Sequence, residues 1–386
     1  MTTLALPRPD GTLEPYRMGP PADLPTRAAP ARARRAYAAA HVVADPLADN
    51  APGAPARLDW DATLAFRHRL WSLGLGVADA MDTAQRGTGL DWPATRELVR
   101  RTGAEAAACG GALLCGVGTD QLDGPPTHLD QVTRAFEEQL AVVEEAGARA
   151  VVMCSRQLAA VARGPEDYQR VYGRLLDQVR QPVVLHWLGE VFDPALRGYW
   201  GSTDLDSATR TVLSVIHEHP ARVEGVKLSL LDAEREVALR RALPEGVRLL
   251  TGDDFHYPEL IRGDQLGHSD ALLGVFDPLA AVASAALTAL DEGDPERFDA
   301  LLTPTVPLAR HLFTAPTPHY KTGVVFLAWL AGHQSHFTMV GGAQSGRSLP
   351  HLVRLFTLAD RTGLLPDPEL AAGRMGRLLA LAGVGR

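Results

Sequence analysis

The chain is 386 residues long and 46% hydrophobic, with a mean hydropathy near zero and a formal net charge of −8. That length holds one α/β barrel with extensions, and no apolar run is long enough for a membrane span. The acidic balance argues against nonspecific nucleic-acid binding, and 3 cysteines without CxxC spacing suit neither a disulfide framework nor a structural zinc site.

Residues 1–40 are rich in Pro, Ala and Arg and read as an irregular extension wrapping the body. Their opening stretch, MTTLALPRPDGTLEPYRMGP, is too polar for a secretory signal. With cysteines best explained as reduced core residues, the expected setting is cytoplasmic. The basic stretch RAAPARARRAY (27–37) reads as a solvated lead into the first strand.

Short apolar runs then alternate with longer amphipathic segments. The runs are HVVAD (41–45), GVADAMDT (76–83), GALLCGVGT (111–119), ARAVVMCS (148–155), QPVVLHWLG (181–189), EGVKLSLL (224–231), VRLLTGDD (247–254) and SDALLGVF (269–276). Helical patterns such as LDQVTRAFEEQLAVVEEAG (129–147) lie between them. Strands separated by helices predict a parallel sheet, and eight such units predict a closed (β/α)8 TIM barrel. An open doubly wound sheet is the rival, but no GxGxxG opens a helix after the first strand. From about residue 282 the pattern is helical only. The expected division is an N-terminal extension over 1–40, a barrel over 41–290 and a C-terminal helical appendage over 291–386 packed on it.

One residue breaks the composition. Of 38 lysines and arginines only Lys227 and Lys321 are lysine, and Lys227 sits in a run otherwise suited to a buried strand. Side chains alternate across a strand, so Val226, Leu228 and Leu230 share one face, and Gly225, Lys227 and Ser229 the other. The apolar face must meet the helices, which turns Lys227 and Ser229 into the barrel. An amine held there loses hydration, its pKa falls, and the free base attacks carbonyls to form a Schiff base. The same placement also suits a structural lysine neutralised by Asp253 or Asp254 at the end of the seventh run.

The stretch VEGVKLSLLDAEREVALRRAL resembles the sixth strand and following helix of the dihydrodipicolinate synthase/N-acetylneuraminate lyase family, where a glycine–hydrophobic–lysine motif carries the imine-forming lysine. EEAGARAVVMCS is similar to that family's fourth strand, QPVVLHWLG to its fifth, RLLTGDD to its seventh, and DALLGVFDPLAAVASAALTALDEGD to its eighth strand and first appended helix. The likeness spans roughly 60–330 and implies a divergent branch of the superfamily.

The resemblance implies site residues as well. His186 takes the place of the family's fifth-strand relay tyrosine. Met81, Asp82, Thr83, Ala84 and Gln85 replace the Gly-Thr-Thr-Gly-Glu turn that holds a substrate carboxylate, and only Thr83 matches. Aspartate there repels a carboxylate and suits hydroxyl groups, which argues against pyruvate. Lys321 matches a position in the family's appended helices away from the chemistry and reads as structural.

The expected catalytic residues are therefore Lys227, His186 and Thr83. Asp82, Gln85, Ser229, Asp253, Asp254 and Arg156 are expected to bind substrate, Arg156 by holding an anionic group. The implied function is a class I, Schiff-base lyase, aldolase or dehydratase without metal or other cofactor, acting on a small 2-oxo acid or sugar-derived carbonyl compound. The family also implies a homodimer or homotetramer, while charge and hydropathy lead to the expectation of neither nucleic acid nor membrane as partner. Two other readings stand beside it: a metal-dependent barrel isomerase or hydrolase using His186, Glu190, Asp254 and His256, and a non-catalytic ligand-binding barrel. Trp187, Tyr199 and Trp200, around EVFDPALRGYWGS (190–202), suit a sugar-stacking lid or a packed loop, and GHQSHFTMVGGAQSGRS (332–348) a lid or a partner contact.

Overall fold

The computed structural model describes residues 3–8, 10–122, 124 and 128–384. Its strands are β1 (Thr3–Pro7), β2 (Leu13–Arg17), β3 (Ala36–Ala39), β4 (Gly76–Asp79), β5 (Leu113–Val117), β6 (Arg149–Val152), β7 (Val183–Leu188), β8 (Val223–Ser229), β9 (Arg248–Thr251) and β10 (Asp270–Leu273). Strands β3 to β10 run parallel and close in sequence order, β10 pairing with β3. Helices alternate with them, giving the (β/α)8 barrel expected. No described helix is long and apolar enough to cross a membrane.

The extension departs from expectation. It is not irregular throughout: β1 and β2 form an antiparallel hairpin on the C-terminal helices, where the Tyr16 hydroxyl donates to Asp360 at 2.7 Å. It also holds the first barrel strand, Ala36–Ala39, upstream of the HVVAD run that the sequence favours. Alanines give a weak strand signal, so the more apolar run overshadows them. Their small size has a use, since Ala39 lines the cavity described below. The partner position on β4 must be glycine, because a Cβ at Gly76 would lie 2.3 Å from the Tyr37 ring.

Each strand divides as alternation requires. On β8, Val226 and Leu228 join the large core between sheet and helices. A second apolar cluster, including Tyr37, Leu114, Val151, Val184, Leu250 and Leu272, fills the barrel interior. Below it, Arg149 bonds Tyr37 and pairs with Glu224, which also pairs with Arg35. The floor is packed and closed, so the open end lies at the C-terminal ends of the strands.

Local sequence sets the helices. Asp59, Asp91, Asp204 and Asp232 each cap one by accepting from a backbone N–H three residues on. Within the appendage, every residue of the helix Tyr320–Leu330 is buried. An apolar helix without a solvent face belongs at the centre of a packed layer. Its first turn, however, carries Tyr320 and Lys321.

Candidate active site

A cavity opens at the C-terminal ends of the strands. Its walls come from the turn after β4 (Asp82, Thr83), from β8 (Lys227, Ser229), from Asp254 beyond β9 and from the appendage (Phe313, Tyr320, Lys321). The cavity has a volume of about 60 Å³, room for waters or a small organic molecule.

Lys227 lies at its base. Its β8 register opposite His186 of β7 and Leu250 of β9 turns it inward. The residue is 7% exposed, and among the described residues its Nζ makes neither a hydrogen bond nor an ion pair. Burial lowers its pKa from the ordinary lysine value, against the opposing fields of Asp82 and Asp254. The same burial pushes the Asp254 carboxyl up to about 7, although it accepts from the Val275 N–H at 2.9 Å and feels the amine. Neither group is locked in a salt bridge. A carboxyl that titrates near neutrality thus stands near a desolvated amine.

Space for the lysine depends on Gly252, just past β9. A Cβ there would come within 2.1 Å of Ser229 Oγ and 2.9 Å of Lys227 Cε. Ser229 in turn lies 3.2 Å from His186 Nε2. His186 does not line the cavity; it is buried beside Ser229, and its Nδ1 has no partner. Burial, reinforced by the Lys227 charge, drives its pKa well below 6.5, so the imidazole is neutral at physiological pH. Its hydrogen bond toward the cavity runs to the Ser229 hydroxyl.

Thr83 bonds Tyr320 at 2.8 Å between hydroxyls, and both line the cavity. The Tyr320 ring stacks on Phe313 with centroids 4.4 Å apart. Burial, then the field of Asp82, raises its pKa well above 10 and keeps the phenol protonated. Sequence reasoning missed Tyr320. The available signal was a polar Tyr320-Lys321-Thr322 run opening a helix that is apolar from Gly323 onward, which has no reason to begin that way unless the turn meets something polar. Lys321, expected to be structural, also reaches the cavity, with its Nζ 3.2 Å from Thr88 Oγ1.

Of the residues predicted to bind substrate, Asp82, Ser229, Asp254 and Arg156 line the cavity, Arg156 paired with Asp193 at the mouth. Two do not. Gln85 turns away in a left-handed conformation and donates to the Val340 carbonyl at 2.9 Å. Asp253 spends its carboxylate on the His256 ring and on the N–H groups of Phe255 and His256, shaping the turn after β9. The metal-binding set is not brought together: His256 is held by Asp253, Glu190 is exposed beside Arg197, and among the described residues no three His, Cys, Asp or Glu side chains are placed to hold an ion. Tyr199 and Trp200 pack with Tyr168 and Tyr172 and form no sugar platform. The 332–348 segment packs through the buried Gln334, Met339 and Val340.

Comparison with known proteins agrees with this architecture. The profile of a family described as "Protein of unknown function (DUF993)" matches residues 4–384. A search of the curated proteins finds no match. Among solved structures, the chain is similar to a putative dihydrodipicolinate synthetase from Pseudomonas aeruginosa, with 16% identity, a TM-score of 0.65 and coverage of 85% of this chain and 99% of that one. Dihydrodipicolinate synthase from Aquifex aeolicus superposes with a TM-score of 0.66 at 14% identity, covering 86% and 99%. The enzyme from Thermotoga maritima gives 0.63 at 16%, covering 86% and 100%. At such identities the likeness establishes a shared fold.

Proposed function

The chain belongs to the DUF993 family on a dihydrodipicolinate-synthase-like barrel, and on that premise we propose that it is a class I lyase whose Lys227 forms an imine with a small carbonyl compound. The observation that carries this reading is the unpartnered Lys227 amine, desolvated and open to a cavity of substrate size. The amine adds to the carbonyl carbon, a proton passes from nitrogen to oxygen, and water leaves to give the imine. Once protonated, it accepts the electron pair released when a β-hydroxy group loses its proton and the adjacent C–C bond breaks. An aldehyde departs, and the enamine takes a proton on carbon before water hydrolyses the imine and frees the lysine. Loss of a proton from the carbon next to the imine gives the same kind of enamine, and expulsion of the β-hydroxyl as water then makes the reaction a dehydration.

The chain's residues divide this work. Asp254, titrating near neutrality, exchanges a proton with the amine. The hydrogen-bonded pair of Tyr320 and Thr83 carries protons at the reacting carbon and oxygen, so a tyrosine from the appendage takes over the relay that the fifth strand supplies in the family. Asp82 accepts a hydrogen bond from a substrate hydroxyl, which turns the reading from pyruvate toward hydroxylated carbonyl compounds. His186 acts through Ser229.

Borohydride reduction in the presence of a panel of aldehydes and ketones, followed by peptide mass analysis, tests the proposal. With only two lysines in the chain the assignment is clean. A reduced adduct on Lys227 that disappears in Lys227→Arg is expected; an adduct elsewhere, or none across the panel, would overturn the reading.

A further inference from the structure

Both lysines of this chain meet in one cavity, and only one is needed as a nucleophile. The second, Lys321, is 5% exposed in the first turn of a wholly buried helix, where it is the one ammonium or carboxylate the helix carries. Its one hydrogen bond among the described residues goes to a neutral hydroxyl, Thr88 Oγ1, and no carboxylate lies at ion-pair distance. An ammonium has three donors, and leaving two of them without an acceptor in a buried position is costly.

The other ionisable side chains of the cavity are accounted for. Arg156 pairs with Asp193, Arg86 pairs with Asp120, and Lys227 and Asp254 share their burial. Lys227, itself unpartnered, is engaged by the imine chemistry, which leaves two opposite charges without an ion-pair partner among the described residues, Asp82 and Lys321. A ligand that offered a hydroxyl to the first and an anion to the second would satisfy both.

We propose that Lys321 is the residue that recognises an anionic group, a carboxylate or a phosphate, on the carbonyl compound held by Lys227. Recognition of the anion passes from the turn after β4, where Asp82 is repulsive, to the appendage. Burial lowers the pKa of Lys321, the Asp82 field opposes that, and a bound anion completes the stabilisation of the charged form.

The imine reading underlies one arm of the test but not the others. Thermal unfolding of the whole chain is followed against acetate, malonate and inorganic phosphate, with chloride at matched ionic strength as control. One of these anions is expected to raise Tm saturably, and whichever does so identifies carboxylate or phosphate as the group recognised. Lys321→Gln is expected to raise the half-saturating concentration about ten-fold or more, since a charge-assisted bond is lost, while Lys321→Arg keeps the response. In the labelling arm, half-maximal borohydride trapping of pyruvate or hydroxyacetone phosphate weakens in Lys321→Gln, and trapping of neutral hydroxyacetone stays within about two-fold. Should Lys321→Gln not fold, acetylation of the wild-type protein decides, because the bound anion must shield Lys321 in a concentration-dependent way. Equal effects on neutral and anionic probes, or no anion that raises Tm or shields Lys321, would overturn the proposal. Anion binding without any adduct on Lys227 would retain the Lys321 site and reject the imine chemistry instead.

Discussion

Glu236 offers a stability prediction that can be worked through in numbers. It is 1% exposed on the helix Ala233–Ala242, where it accepts from Ser269 Oγ at 2.7 Å and Thr251 Oγ1 at 3.0 Å. Thr251 ends β9, so this carboxyl braces the strand that leads to Asp254. Burial raises its pKa from 4.5 to about 8, and the two hydroxyls recover only part of that cost. A folded pKa above the unfolded one means that the folded protein binds more protons between those values. Stability contributed by the proton is therefore complete below about pH 4.5 and lost as pH rises toward 8. At 1.36 kcal/mol per pH unit, the cost is near zero at pH 4, about 3 kcal/mol at pH 7 and about 5 kcal/mol above pH 9. Glu236→Gln keeps the shape, removes the titration, and lets the hydroxyls reorient around the amide. Relaxation around the charge reduces the measured gain, so an increase of roughly 1–3 kcal/mol at pH 7 is expected, vanishing near pH 4. Urea unfolding of both proteins from pH 4 to pH 9 measures it. A difference that does not grow with pH, or a variant less stable at pH 8, would refute the reasoning.

Further predictions concern the site. Asp254→Asn removes a field that favours the charged amine, so the rise of Lys227 trapping with pH should move to lower pH; an unchanged profile speaks against the pairing. Gly252→Ala places a methyl against Ser229 Oγ and Lys227 Cε and should cut trapping at least ten-fold, at a stability cost of about 1–3 kcal/mol that denaturant unfolding reads. Tyr320→Phe should slow deuterium exchange at the carbon next to the carbonyl of a bound probe by about 10²-fold or more, with Lys227 still labelled, and exchange at the wild-type rate would remove Tyr320 from the relay.

How far the residues revealed this in advance depends on the kind of signal each element carries. Strands β4 to β10 are apolar runs bounded by turns, and their local pattern coincides with their place in the barrel. The first strand is not legible that way: AYAA carries little strand preference, and it belongs to the sheet because β4 and β10 lend it hydrogen bonds from far along the chain. Lys227 was readable from alternation alone, because both faces of a barrel strand have fixed surroundings. Ser229 followed from the same alternation, whereas Asp82 and Thr83 came from the resemblance of the turn after β4 to the family's turn, and Asp254 from its place at the end of the seventh run. Gln85 and Asp253 miss the cavity, since a turn's dihedrals aim each side chain separately: left-handed Gln85 swings outward, and Asp253 is taken by its own turn. Tyr320 and Lys321 enter the cavity through packing of the appendage on the barrel; their polar pair at the head of an apolar helix signals a polar contact, but not which part of the chain it meets.

The account's central claim is that the Lys227 amine is uncharged often enough to act as a nucleophile. Competitive acylation of the native protein across pH, with adducts resolved at Lys227 and Lys321 by peptide mass analysis, measures that directly. The account predicts half-titration of Lys227 clearly below the ordinary lysine value of 10.5. Half-titration at or above that value would contradict it.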